Sequence, residues 1–150
     1  MSCYKTILVP TDGTTLSRKA AHEAAELASS LNARLRAVYV MPVWNPPLVV
    51  DGTVGLSAEA FDERAFERST EETARTALAE VEAEAKAKLV PCDTLAIRED
   101  HPWQGIIKAA RACDLIVMAS HGRTGIEAMI LGSETRKVLS HAKGPVLVCH

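Results

Sequence analysis

Short runs of branched aliphatic residues alternate along the chain with longer segments whose apolar positions recur every three or four residues. The short runs have the character of buried strands and the longer segments that of amphipathic helices, so the alternation predicts strand-helix units around a parallel sheet. Tyr4 to Pro10 reads as a first strand that Pro10 stops, and Thr11 to Thr15 as a turn whose hydroxyls cap a helix. That helix is expected to turn Leu16, Ala20, Ala24, Leu27 and Leu31 inward and to end at Asn32-Ala33. Arg34 to Met41 is a second strand, and the proline-dense stretch Pro42 to Pro47 begins a long connection. Past Leu56 a long helix buries Phe66, Ala74, Ala77, Val81 and Ala85.

Thr94 to Ile97 suggests a third strand, and His101-Pro102 opens a helix with Trp103, Ile106, Ile107 and Ala110 inward. Asp114 to Ala119 reads as a fully buried fourth strand. Gly132-Ser133-Glu134 starts a last helix carrying Val138, Leu139 and Ala142, and Val146 to Cys149 is a terminal strand. The expected fold is one doubly wound α/β domain over residues 1–150, with a five-stranded parallel sheet.

Composition narrows the function rather than the fold. A chain of 150 residues, 47% hydrophobic, can bury enough surface to fold without covalent staples. Its net charge of -2, with charges spread along the chain, offers no basic footprint for nucleic acid and no polybasic segment for a membrane. The apolar stretch near the N-terminus is too short for a signal peptide or a span, so a cytoplasmic protein is expected. Cys3, Cys92, Cys113 and Cys149 form no CxxC pair, which argues for reduced thiols rather than zinc or disulfides.

In a doubly wound sheet, ligands settle at the carboxyl ends of strands, and the ends of strands one and four carry unusual chemistry. After strand four come Ala119, Ser120, His121, Gly122, Arg123, Thr124 and Gly125, and further on Gly132-Ser133 opens a helix. Glycines let successive N–H groups turn inward, and a helix N-terminus offers unpaired donors with a favourable dipole, a combination suited to a phosphate chain. No Lys-Ser or Lys-Thr follows Gly122 or Gly125, and the first turn holds only Gly13, so neither a Walker sequence nor a dinucleotide fingerprint is present. A receiver domain would need further acidic residues beside Asp12 and a lysine after the last full strand, which the chain lacks. A hydrolase using Ser120, His121 and Asp12 is a second class to keep, although no GxSxG elbow surrounds the serine.

Val117 to Gly125 with Leu131-Gly132-Ser133 resembles the signature segment of the universal stress protein family. Lys5 to Gly13 is similar to that family's opening strand and turn, Ala37 to Val40 to its second strand, and Gly144 to Val148 to its closing one. ATP-binding members carry Gly, two residues, Gly, nine residues, then Gly with Ser or Thr. Gly122 and Gly132-Ser133 fit that spacing, while the first glycine is replaced by Ala119, a change that matters only where positive φ is required.

The resemblance implies a sheet of strand order 3-2-1-4-5 and a pocket for adenine and ribose near Pro10, Thr11, Asp12 and the backbone of Val40. It further implies that Ala119 to Gly125 wrap the phosphates of ATP, ADP or AMP, with Gly132, Ser133, Glu134 and Thr135 donating from the helix start. Mg2+ or Mn2+ would be carried by the phosphates. The family also implies a homodimer through the C-terminal strand and a stress-response regulator with at most slow hydrolysis or self-phosphorylation. A member that binds no nucleotide and serves as a protein-interaction module, or a slow nucleotide hydrolase, is the alternative.

Overall fold

The computed structural model describes residues 3–46, 62–121 and 131–150. Its elements are β1 (Thr6–Pro10), α1 (Thr15–Leu31), β2 (Arg34–Met41), α2 (Glu63–Ala87), β3 (Cys92–Arg98), α3 (Pro102–Ala110), β4 (Leu115–Ala119), α4 (Ser133–His141) and β5 (Val146–Cys149). The strands form one parallel sheet in the order β3-β2-β1-β4-β5. β1 therefore lies at the centre, and the chain winds outward from it in both directions.

Alternation along the strands divides the core in two. Ile7 and Val9 of β1 face the side covered by α1 and α2, where they meet Leu35, Ala37, Leu115 and Val117. Leu8 faces the side covered by α3 and α4, among Val38, Ile106, Ile116, Met118 and Val138. All three β1 residues are fully buried, each contributing about 1.5–3 kcal/mol by its removal from water.

The floor under α1 is alanine rather than leucine. Ala20, Ala21, Ala24, Ala25 and Ala28 are buried, whereas Leu16, Leu27 and Leu31 are only half-buried at the margins. Two adjacent rows of methyl groups let the helix lie close to the sheet and α2, and that close approach pushes the leucines to the flanks. Thr14 caps α1 by accepting from the Ser17 amide, and Asn32 closes it in the left-handed region at φ 52.

α2 buries Ala74, Ala77, Leu78, Val81 and Ala85 as its periodicity requires, while Phe66 is half-buried. In α4 the buried residues are Thr135 and Val138, and Leu139, one residue and a 100° rotation on, is 40% exposed instead of inward. β3 extends beyond Thr94–Ile97 at both ends, and as an edge strand it leaves Leu95 exposed.

Asp114, just before β4, accepts hydrogen bonds from the backbone amides of Lys5 and Thr6, both at 2.9 Å. These bonds favour the ionised form and hold its carboxyl below the usual range. A lowered folded-state value means stability that is present above the unfolded-state pKa of about 4 and is lost as pH falls toward the folded one. The urea midpoint of Asp114→Asn should accordingly fall less steeply than wild type between about pH 5 and 3. Equal slopes would show that the bonded carboxylate contributes nothing.

Cys3, Cys92, Cys113 and Cys149 are all free thiols. Burial pushes the Cys92 thiol up to about 11, away from thiolate chemistry at neutral pH.

Candidate functional site

The register shows where the sheet opens. β1 pairs with β2 from Thr6 opposite Arg34 to Pro10 opposite Val38, and the Thr11 amide makes a last bond to the Val38 carbonyl at 2.9 Å. Backbone groups of alternate residues in β2 face alternate neighbours. Arg34 and Val38 bond toward β1 while Leu35 and Met41 bond toward β3, so Val40 directs its N–H and C=O to the β1 side beyond the end of β1. At this point β1 turns one way and β4 the other, which is the switch point of the sheet.

A cleft of about 400 Å³ opens there. Pro10, Thr11 and Asp12 line its middle, and Val38, Val40, Pro42, Glu99, Asp100, Pro102 and Ile106 line one end. Met118, Ala119, His121, Gly132, Ser133, Glu134 and Thr135 line the other. The first end is largely apolar apart from two carboxylates and the polar backbone of Val40.

The middle is a preorganised turn. Gly13 has φ +77, a conformation that side chains rarely adopt. The Asp12 Oδ1 accepts from the Thr14 amide at 3.0 Å and from its hydroxyl at 2.6 Å. Thr11 is buried, its Oγ1 lying 3.2 Å from the Ser17 hydroxyl and accepting from the Gly13 amide. Thr11 thus shapes the cleft, while Asp12 keeps its second oxygen outside these bonds.

At the other end the start of α4 is open. Thr14 caps α1 and Asp62 caps α2 with side-chain oxygens, but the N-cap of α4 is Gly132, which has none. The first helical bond runs from the Arg136 amide to the Gly132 carbonyl. The amides of Ser133, Glu134 and Thr135 therefore have no helical acceptor, and they lie in the wall of the cleft. Glycine lets the start of α4 approach the end of β4 closely, since a Cβ at position 132 would come 3.1 Å from the Cα of His121 and 3.3 Å from the Ser120 carbonyl oxygen, tighter than ordinary contact.

Two side chains of this segment are already engaged. Glu134 accepts the Trp103 amide at 2.9 Å and so caps α3, whose own N-cap His101 makes no side-chain bond. The Thr135 hydroxyl donates to the Ala119 carbonyl at 3.1 Å. Both residues offer the cleft their backbone amides rather than their side-chain groups.

Ala119 ends β4 with ordinary negative φ, so its methyl group carries no backbone strain in place of glycine. Ser120 lies beneath the cleft surface, 3% exposed, with its Oγ 3.0 Å from the His121 Nδ1. Among the described residues no carboxylate bonds His121, so the orienting third member of a hydrolytic triad is not found there. Gly122, Arg123, Thr124 and Gly125 lie outside the described residues. Glu99 and Asp100, which sequence reasoning did not single out, follow the end of β3 as Asp12 follows β1. The strand-end rule, applied to a third strand, would have found them.

The profile of the universal stress protein family matches residues 3–150. The chain belongs to the universal stress protein family. It is 37% identical over 147 residues to universal stress protein MJ0531 of Methanocaldococcus jannaschii, covering 97% of this chain and 81% of that one. Among solved universal stress protein folds, MJ0577 superimposes with a TM-score of 0.77 at 24% identity, covering 98% of this chain and 96% of its own. A universal stress protein in complex with cAMP superimposes with a TM-score of 0.71 at 23% identity, covering 99% of both chains. These likenesses extend over the whole doubly wound sheet of the universal stress protein fold.

Proposed function

We propose that this universal stress protein binds an adenine nucleotide, foremost ATP, in the cleft at the sheet's switch point. The observation that carries the reading is the pairing of two ends within one cavity of about 400 Å³, an apolar slot with the Val40 backbone and the uncapped start of α4. A backbone N–H and C=O side by side match the N1 acceptor and 6-amino donor of adenine, and the slot supplies apolar walls for the ring. Asp12 is placed to accept from ribose hydroxyls. Ala119 to Gly125 and the amides of Gly132 to Thr135 take the phosphates, with the Ser133 hydroxyl beside them. Relatives of known structure include one in complex with cAMP, a ligand of the same chemical class.

Among the described residues no group of three His, Cys, Asp or Glu is arranged to hold a metal. Mg2+ or Mn2+ accordingly enters on the nucleotide, bound by phosphate oxygens and water. The protein acts in the cytoplasm as a stress-response regulator whose output is nucleotide occupancy rather than rapid turnover. β5 leaves a free sheet edge with Leu147 44% exposed, and a second copy pairing there forms the homodimer.

Acid extraction of the purified protein should release adenine nucleotide, and Mg-ATP titrated into nucleotide-stripped protein should give a saturating heat, with light scattering reporting a mass of two chains. Neither nucleotide nor heat at millimolar ATP would leave a protein-interaction module as the function.

A further inference from the structure

The charge of the cleft is lopsided. Asp12, Glu99, Asp100 and Glu134 line it, and His121 is the one side chain of the described lining able to carry positive charge. Asp12 is engaged by Thr14, Glu99 by Lys108, and Glu134 by the Trp103 amide and Lys137. Their negative charges are partly answered, but an arriving phosphate still meets a predominantly acidic surface.

His121 is held from two sides beside the open start of α4. Its Nδ1 lies 3.0 Å from the buried Ser120 hydroxyl, and its Cα and Cβ pack closely against Gly132, where a Cβ would stand 3.1 and 3.2 Å from them. Ser120 is itself fixed, its amide donating to the Cys149 carbonyl and its carbonyl accepting from the Gly132 amide, both at 2.8 Å. With Nδ1 engaged, Nε2 is the nitrogen left for a ligand. A serine hydroxyl can donate to a neutral Nδ1 or accept from a protonated one, so it supports the ring in both charge states.

We propose that His121, oriented by Ser120, is a proton-coupled phosphate contact that takes up a proton as the nucleotide docks at the start of α4. The proposal rests on the nucleotide reading above. A phosphate beside the ring favours the imidazolium, which can donate from Nε2 to the ligand while Nδ1–H is accepted by Ser120. Binding that takes up a proton tightens as pH falls through the histidine range.

The charged or titratable groups that share the cleft with His121 are Asp12 after β1, Glu134 in α4, and Glu99 and Asp100 after β3, while Cys149 ends the strand that pairs with β4 and His150 follows it. Burial pushes the Cys149 thiol up, away from the neutral range. Carboxyl groups in general titrate near pH 4 and imidazole near 6.5, so a window of about pH 5.5 to 8 isolates histidine. Arg123 follows closely in the chain, but a guanidinium stays charged throughout that window and cannot supply the linkage.

Calorimetric titration of Mg-ATP at pH 7, repeated in buffers of different ionisation enthalpy, counts the protons exchanged. Wild type should take up about half a proton, with Kd rising about 5- to 30-fold from pH 6 to 8. His121→Asn should bind with an affinity nearly independent of pH and without uptake, and Ser120→Ala should bind more weakly with a smaller uptake. Following the His121 ring of wild type by NMR avoids any question of variant folding, because its titration midpoint must rise when Mg-ATP is added.

An uptake that persists in His121→Asn belongs to another group, the nucleotide's own phosphate or His150, and overturns the proposal, as does wild-type binding with no exchange. A Ser120→Ala variant matching wild type in affinity and uptake removes the orienting role. No heat from wild type at any pH sinks the nucleotide reading instead, a result distinguishable from the other failures.

Discussion

Gly132→Val should weaken Mg-ATP binding by about 30- to 150-fold, equivalent to roughly 2–3 kcal/mol, in calorimetry on nucleotide-stripped protein. The added side chain is crowded from its first atom, since a Cβ would stand 3.1 Å from the His121 Cα and 3.2 Å from its Cβ, and valine puts two further methyl groups beyond it. Two of the nearest atoms belong to backbone, so relief requires the start of α4 to move away from the end of β4. That movement misaligns the amides of Ser133, Glu134 and Thr135 and breaks the 2.8 Å bond from the Gly132 amide to Ser120. Gly132→Ala places only the Cβ at these distances and should lose several-fold less. Valine at this position with unchanged affinity would mean that phosphate does not sit at the start of α4.

Leu8→Ala should cost about 2–5 kcal/mol of folding stability, read as a lower urea midpoint with little change in slope. Leu8 is fully buried in the central strand, enclosed by Val38, Ile106, Ile116, Met118 and Val138. Those neighbours come from β2, α3, β4 and α4, and residues fixed in a sheet cannot easily collapse into the space that a lost isobutyl group leaves. The cost should therefore fall toward the upper part of the range. A loss below about 1 kcal/mol would show that this half of the core repacks freely.

The strands and helices were largely readable from the chain because burial on both faces makes a parallel strand continuously apolar, as in Ile7-Leu8-Val9 and Leu115 to Ala119. The edge strand β3 is less legible. Only part of β3 stood out, because Thr94, Leu95 and Ala96 are exposed and carry a weaker pattern. In α1 the expected inward face holds Ala20 and Ala24, but the buried floor also includes Ala21, Ala25 and Ala28, while Leu27 and Leu31 pack against the core from its margin. Periodicity reports an apolar stripe, but which row of the stripe touches the sheet depends on how closely the helix approaches.

The site divided in a similar way. Glycine and hydroxyl residues after strand ends marked Asp12, Ala119 and Gly132-Ser133, and all of these line one cleft. The sequence did not reveal that Glu134 caps α3, that the Thr135 hydroxyl holds the end of β4, or that Glu99 and Asp100 share the cavity. Each of these relations joins residues from separate elements, with no spacing along the chain that encodes it.

By itself the sequence determined the order of elements and the parallel sheet, because burial periodicity and turn chemistry are local properties of the chain, and its Val117 to Gly125 and Gly132-Ser133 segments carried the resemblance to the family. The tertiary structure decided which groups remain available to a ligand. It spends the side chains of Thr11, Glu134 and Thr135 on turns and helix ends, leaves the first amides of α4 uncapped, and aims the Val40 backbone past the end of β1. It also showed that alanine at position 119 is harmless to the backbone, since φ is fixed by the strand in which that residue ends. Availability depends on which hydrogen bonds have already been made, and those bonds exist only once distant segments meet.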